Sequence, residues 1–586
     1  MYDLTITGGT VVDGTGDKPF RADIGIKDGR VVEVRRRDGD DSGLQGESAE
    51  RIDATGKFVT PGFVDIHTHY DGQISWDGLL EPSSQHGVTT VVSGNCGVGF
   101  APVQPGREQW LIELMEGVED IPGTALTEGI KWGWESFPEY LDVVEKQSLA
   151  VDFGTQVPHG AVRGYAMGDS GARNEAATED DIAAMARIVQ EAIEAGALGF
   201  STSRTEAHRA IDGEPVPGTY AAEEELFALG RAMARGGQAV FEVAPAGTAG
   251  ESLDGPMREL DWMVRLAAEI DRPLSFAMVQ TQSAPDLWKK QLDIAGQALD
   301  DGIRVHPQFA ARPFGMLFGF AGYHAFTHRP TFRKLKAELS PQELGVRLAD
   351  PAVRAAILAD TDLPPQPLPL FDALYAMIQH APDSIYAIGD PPDYEPTPDQ
   401  TVGAIARARG EDPLATMYDL MLESNGTAML MMPFFNYVEG NHDAIHEMMS
   451  HRAGVSGLSD GGAHCGLICD ASYPTFMLTH WARDRSRGPR FPLEYVVRKQ
   501  TLDTATLFGL TDRGVLKAGK KADVNVIDMD ALSLGVPLMA YDLPAGGKRL
   551  IQGASGYDAT VVSGVVTRRN GADTGARPGK VLRGVR

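Results

Sequence analysis

The sequence predicts an α/β fold: a (β/α)8 TIM barrel joined to a small β-sandwich domain built from both termini, with an insertion over the barrel mouth. Three observations lead there. Strand-like apolar runs alternate with amphipathic helical stretches through the middle of the chain. Both ends are short-stranded and turn-rich instead. The length, 586 residues, exceeds one ordinary domain and leaves room for a barrel plus a second unit.

Residues 1–60 form the first part of the terminal domain. YDLTITGGTVVDG, ADIGIKDGRVVEV and ERIDATGKFVTPG alternate apolar and polar residues and are punctuated by Gly and Asp-Gly. Residues 61–510 form the barrel. TTVVSGN, LGFSTSR, QAVFEV, PLSFAMV and RVHPQF read as strands. Between such runs, DDIAAMARIVQEAIEAG (Asp180 to Gly196) has an apolar stripe of helical period and a Gly stop, and EELFALGRAMARGG and ELDWMVRLAAEI look the same. This alternation implies βα units and a parallel sheet, and eight units close a barrel. From Arg312 to Tyr394 the alternation breaks into long helical pieces and the Pro-rich TDLPPQPLPLFDAL. We read 312–394 as the insertion. Residues 511–586 return to β texture in ADVNVIDMD and DATVVSGVVTRRNG and complete the terminal domain.

Composition narrows the partners. A net charge of -28 argues against nucleic acid or an anionic membrane, both of which need a basic surface. No apolar run is long enough for a membrane span, and the first residues lack the pattern of a signal peptide. Three cysteines make no disulfide framework, so the cytoplasm is the expected setting.

The chemistry starts at DIHTHYDGQISWD, Asp65 to Asp77. Side chains alternate along a strand, so His67 and His69 share a face. At the end of a barrel strand that face is the active-site mouth. Neutral imidazole is a common ligand for zinc and its neighbours. An isolated H-x-H is a weak signal; here it ends an apolar strand and runs on into Asp71.

VTPGFVDIHTHYDGQISWD and HGVTTVVSGNCGVGFAPV resemble the amidohydrolase superfamily, and most of all its N-acyl-D-amino-acid deacylase branch. GLSDGGAH, GVLKAGKKADVNVID and DTGARPGKVLRG continue the resemblance, which is dense over about residues 1–105 and 455–586. The family's fold is a distorted (β/α)8 barrel with a β domain from both termini. The resemblance implies that Cys96 is a metal ligand, as a thiolate suits zinc. It implies that Asp460 touches the metal and serves as general acid/base, taking the proton of the attacking water and returning it to the leaving group. Cys465 and Cys469 form C-x3-C with no second pair and are read as structural.

The sequence also departs from the family. No lysine lies between Lys146 and Lys289, so a carboxylated-lysine bridge on the fourth strand is not expected. The deacylases carry metal histidines on the fifth and sixth strands. The candidate strands here, Gln238 to Gly247 and Arg272 to Ser283, contain none. Glu242 stands in the fifth as a replacement ligand or base, or as a structural ion-pair residue. Gln280 stands in the sixth as a hydrogen-bonding group for substrate or for Glu242. The expected centre is one divalent metal ion, zinc first, held by His67, His69, Cys96 and Asp460.

His159, Arg163, Arg204, Gln280 and His464 are candidates for substrate binding, with Arg312 a further cation for a carboxylate. The aromatic stretch from Phe309 to Phe326 and the run MLMMPFFNY flank the predicted mouth and favour a bulky hydrophobic amide. The expected activity is hydrolysis of a C–N bond, other than a peptide bond, in an N-acyl amino acid or such an amide. Hydrolysis of a cyclic amide, carbamate or ester at the same site is the alternative, as is a degenerate non-catalytic binding protein. Many members of the family oligomerise, so a homo-oligomer is compatible with the resemblance.

Overall fold

The computed structural model describes residues 1–37, 43–364 and 369–584. The Pro-rich linker expected around TDLPPQPLPLFDAL falls in part on 365–368, outside the described residues.

Eight parallel strands build the barrel in chain order: β1 (Phe63–Asp65), β2 (Val88–Ser93), β3 (Asp152–Pro158), β4 (Gly199–Ser203), β5 (Val240–Ala244), β6 (Leu274–Ala277), β7 (Val305–Phe309) and β8 (Val455–Ser456). Strands covered on both faces read as near-continuous apolar or β-branched runs, and VTTVVS in β2 is buried throughout. The helix foreseen in DDIAAMARIVQEAIEAG runs from Glu179 to Ala195. Thr178 and Asp181 form a capping box at its start, and Gly196, at φ 116°, ends it in the left-handed conformation. The fifth- and sixth-strand candidates contain β5 and β6.

The seam between β8 and β1 is closed by the residues after each strand. The Asp460 amide donates to the His67 carbonyl (3.1 Å) and the His69 amide to the Gly461 carbonyl (2.8 Å). Ser459 Oγ donates to Asp65 (2.7 and 2.8 Å) and lies 3.0 Å from the His67 carbonyl. The closing hydrogen bonds therefore join the two segments that carry the predicted metal ligands.

The chain ends form one nine-stranded mixed sheet. Phe58–Pro61 pairs in parallel with Tyr2–Val11 and antiparallel with Val524–Ile527, which fuses the two termini. Leu4, Ile6, Ile24, Val524, Val526 and Val561 make its core. The last described residues return to the barrel: Leu582 donates to the Phe153 carbonyl of β3 (2.7 Å).

The insertion lies between β7 and β8 and extends past Tyr394. Gly315–Phe318 pairs antiparallel with Leu430–Pro433, which comes from the Met-rich run. Phe318, Phe320, Phe326, Tyr418 and Met421 pack in its own core. Among the described residues no helix is long and apolar enough to cross a membrane.

Candidate metal centre

His67, His69 and Cys96 each present one donor atom within 4.8 Å of the other two, and all three are buried. His67 and His69 follow β1. Cys96 sits in the turn after β2, where its backbone takes φ 55°. Asp460 (φ 48°) and His464 (φ 52°) are also left-handed. Each such non-glycine residue costs roughly 1–2 kcal/mol, a strain found where the surrounding structure holds a functional geometry.

The distances suit a shared ion better than hydrogen bonds. His67 Nε2 is 3.4 Å from Cys96 Sγ and 3.3 Å from Asp460 Oδ1. His69 Nε2 is 3.8 Å from the same oxygen. With bonds of about 2.0–2.3 Å to zinc, neighbouring tetrahedral donors stand about 3.3–3.6 Å apart. His67 Nδ1 lies 2.8 Å from Gln308 Oε1, and Gln308 Nε2 donates to Ser275 Oγ (2.7 Å). That chain puts the His67 proton on Nδ1 and leaves the Nε2 lone pair facing the cluster, the usual outer support of a metal-binding histidine.

Two carboxylates complete the centre. The Cys96 amide donates to Glu242 Oε2 (3.0 Å). Glu119 ends the helix Glu108–Glu119; its Oε1 is 3.4 Å from His69 Nδ1 and its Oε2 3.6 Å from His464 Nε2. Sequence reasoning missed Glu119. It lies four residues after buried Met115 and seven after buried Ile112, so it falls on the apolar stripe of its helix. A glutamate on that stripe was the available signal.

Both ring nitrogens of His69, Oε1 of Glu119 and Oε1 of Glu242 are buried with no hydrogen-bond partner among the described residues. None of Glu119, Glu242 and Asp460 forms an ion pair with Lys or Arg there. Burial and the Asp460 charge push the Glu242 carboxyl up to about 8. Burial raises Glu119 and Asp460 well above the carboxylate range. Burial, with the Glu242, Glu119 and Asp460 charges, raises the Cys96 thiol. Burial lowers His67 to about 4 and His464 to about 3. A bound divalent cation reverses the acid shifts and accepts the neutral imidazoles as they stand. The donor set therefore fits a metal.

The remaining candidates sit elsewhere or are occupied. His159 Nε2 is 2.8 Å from Glu225, and Arg163 donates to both Glu225 oxygens and to the Glu175 carbonyl. Burial lowers the His159 pKa, and Arg163 supplies the permanent positive charge facing Glu225. Arg204 pairs with Glu259 and holds the carbonyls of Gly218 and Ala221. Arg312 pairs with Asp470 and stacks on Tyr394, 3.8 Å from the ring centre. Gln280 bonds Glu439 (2.9 and 3.0 Å), not Glu242. Only His464 joins the centre, beside Phe314, whose ring centre is 6.0 Å away. Cys465 and Cys469 are buried free thiols.

The fold and the centre define a barrel protein with a buried, metal-ready cluster at the strand ends. Residues 50–568 match the family described as the amidohydrolase family, and the chain belongs to it. It is 25% identical to the D-aminoacylase of Alcaligenes xylosoxydans xylosoxydans, with 99% of this chain and 97% of that one covered. It is 28% identical to an uncharacterised protein of Mycobacterium tuberculosis, covering 97% and 92%. A crystal structure of D-aminoacylase superposes with a TM-score of 0.63 at 22% identity, with both chains fully covered. The N-acyl-D-glutamate deacylase of Bordetella bronchiseptica, complexed with zinc and a phosphonate inhibitor, gives 0.62 at 23%, covering 99% of each. These two likenesses are of fold.

Proposed function

We propose that the protein is a metal-dependent amidohydrolase that cleaves the C–N bond of an N-acyl amino acid or a bulky hydrophobic amide. The carrying observation is the convergence of His67, His69, Cys96 and Asp460 at the barrel seam, with buried donor atoms of His69, Glu119 and Glu242 left without partners. A divalent ion held by the first four residues, zinc by the donor set, would supply Lewis acidity and lower the pKa of a water to about 7. Asp460 is the carboxylate in position to accept a proton and return it to the departing nitrogen. Gln308 orients His67, and Glu119 faces both His69 and His464. Glu242 fixes the Cys96 turn through its amide.

Two observations favour the hydrophobic amide. Arg163, Arg204 and Arg312 are each committed to a protein carboxylate, so none awaits a substrate carboxylate. Phe314 lies beside His464 and packs against Phe435, with ring centres 5.8 Å apart. Three free buried thiols support a reducing, cytoplasmic setting.

The test is metal content by plasma emission on protein purified without chelator, with a hydrolysis screen over N-acyl amino acids and aryl anilides. About one ion per chain and turnover of an apolar amide are expected. A value near zero that added zinc fails to restore would sink the reading.

A further inference from the structure

The loop after β4 carries a histidine that the chemistry above does not use. His208 Nδ1 lies 3.0 Å from Ser203 Oγ, at the mouth end of β4. Ser203 abuts the turn that holds Cys96: a Cβ on Gly97 would come within 2.7 Å of the Ser203 amide nitrogen. On the other side, Arg209 and Ala210 cross the helix that ends in Glu119. A Cβ on Gly117 would lie 2.4 Å from the Ala210 carbonyl carbon. The loop is thus wedged between two segments of the metal centre. Arg204 clamps its base, and the Val216 amide donates to the His208 carbonyl (3.1 Å). From there the His208 ring is near enough to His67, His69 and His464 that a charge on it would oppose protonation of each.

The local hydrogen bonds choose the tautomer. The Ser203 side chain is fully buried and makes no other hydrogen bond among the described residues. A buried hydroxyl proton without an acceptor is costly, so Ser203 donates to Nδ1 and the imidazole proton sits on Nε2. Among the described residues Nε2 of this half-buried ring has no partner. Burial holds the ring down to about 4, so it stays neutral at pH 7.

We infer that His208 is a catalytic residue whose Nε2–H donates to the scissile carbonyl oxygen and stabilises the negative charge that develops there. This rests on the amide hydrolysis proposed above. A fixed neutral donor strengthens its hydrogen bond as the oxygen gains charge, so its effect falls on kcat rather than KM.

The experiment compares zinc-loaded wild type with His208→Leu and His208→Gln. The substrate is the apolar anilide that wild type turns over fastest. Methylphosphonate, read by calorimetry, serves as a tetrahedral anion probe. In His208→Leu we expect kcat to fall about a hundredfold or more, with KM within about threefold and metal per chain unchanged. Methylphosphonate affinity falls about tenfold in the same variant. His208→Gln, whose side-chain amide donates from near the same place, recovers about tenfold of the lost kcat and most of the affinity. Wild-type kcat in His208→Leu, loss of its metal, or no gain in His208→Gln would each overturn the inference. A wild type that binds methylphosphonate through His208 yet hydrolyses no amide would defeat the hydrolase reading, and the catalytic role with it.

Discussion

Two of the clusters of histidine and carboxylate among the described residues solve the same electrostatic problem in opposite ways. In the second, Glu395, His442 and His480 also bring three donor atoms within 4.8 Å. There every donor has a partner. Arg485 reaches both Glu395 oxygens (3.0 and 3.2 Å), and the His442 amide donates to one of them (2.7 Å). His442 Nε2 bonds the Tyr394 carbonyl, and its Nδ1 lies 2.9 Å from His480 Nε2, a hydrogen-bond length. A guanidinium supplies the positive charge. Around Asp460 no Lys or Arg among the described residues does, and donor atoms stay unpartnered there. Proximity of ligand types is thus a poor criterion for a metal site. Unmet need for a cation is a better one.

The strongest way to break this comparison is to count ions. His67→Ala and Asp460→Ala should lower bound metal from about one per chain to near zero, with activity down at least about a hundredfold. His442→Ala should leave the count unchanged, even if the fold loosens. An ion lost in His442→Ala and retained in His67→Ala would invert our assignment.

A second test uses stability, and the two clusters should answer with opposite sign. Glu395→Gln leaves buried Arg485 with only the exposed Asp443 as countercharge and should destabilise the protein by about 2 kcal/mol or more. Glu119→Gln removes one of several acids crowded together. In chelator-treated protein it should cost nothing or stabilise by about 1 kcal/mol, while weakening zinc binding. Denaturant unfolding with and without zinc measures both. A loss in the metal-free Glu119→Gln protein as large as that in Glu395→Gln would remove the distinction.

How much of this was legible in the sequence depends on range. His67 and His69 declared themselves because strand period places them on one face. Thr178, Asp181 and Gly196 marked their helix through local caps. β5 and β6 were visible as apolar runs, and with them the absence of histidine there. Glu119 was not found, since its role depends on a contact to His464 far along the chain. Arg163, Arg204 and Arg312 looked available because nothing near them in sequence shows that Glu225, Glu259 and Asp470 consume their charge. The pairing of Leu430–Pro433 with Gly315–Phe318 was hidden for the same reason, being a partnership between segments over a hundred residues apart.

The smallest effect concerns a third network that, like the second, satisfies itself. Burial alone would raise the Glu225 carboxyl, but its contacts with His159 and Arg163 outweigh that and hold it down to about 2. An acid whose folded pKa lies below its unfolded value stabilises the protein fully above that unfolded value, about 4.5 for Glu225, and the contribution fades as pH falls towards 2. Glu225→Gln should therefore be less stable than wild type at pH 7 by a few kcal/mol, with Arg163 left facing a neutral amide. The gap should narrow steadily between pH 4.5 and the acid limit of the fold. Urea unfolding of the pair across that window reads the difference free of the other carboxylates, which both proteins share. A gap that stays constant from pH 7 to pH 3 would show that packing, not charge, is what Glu225 contributes.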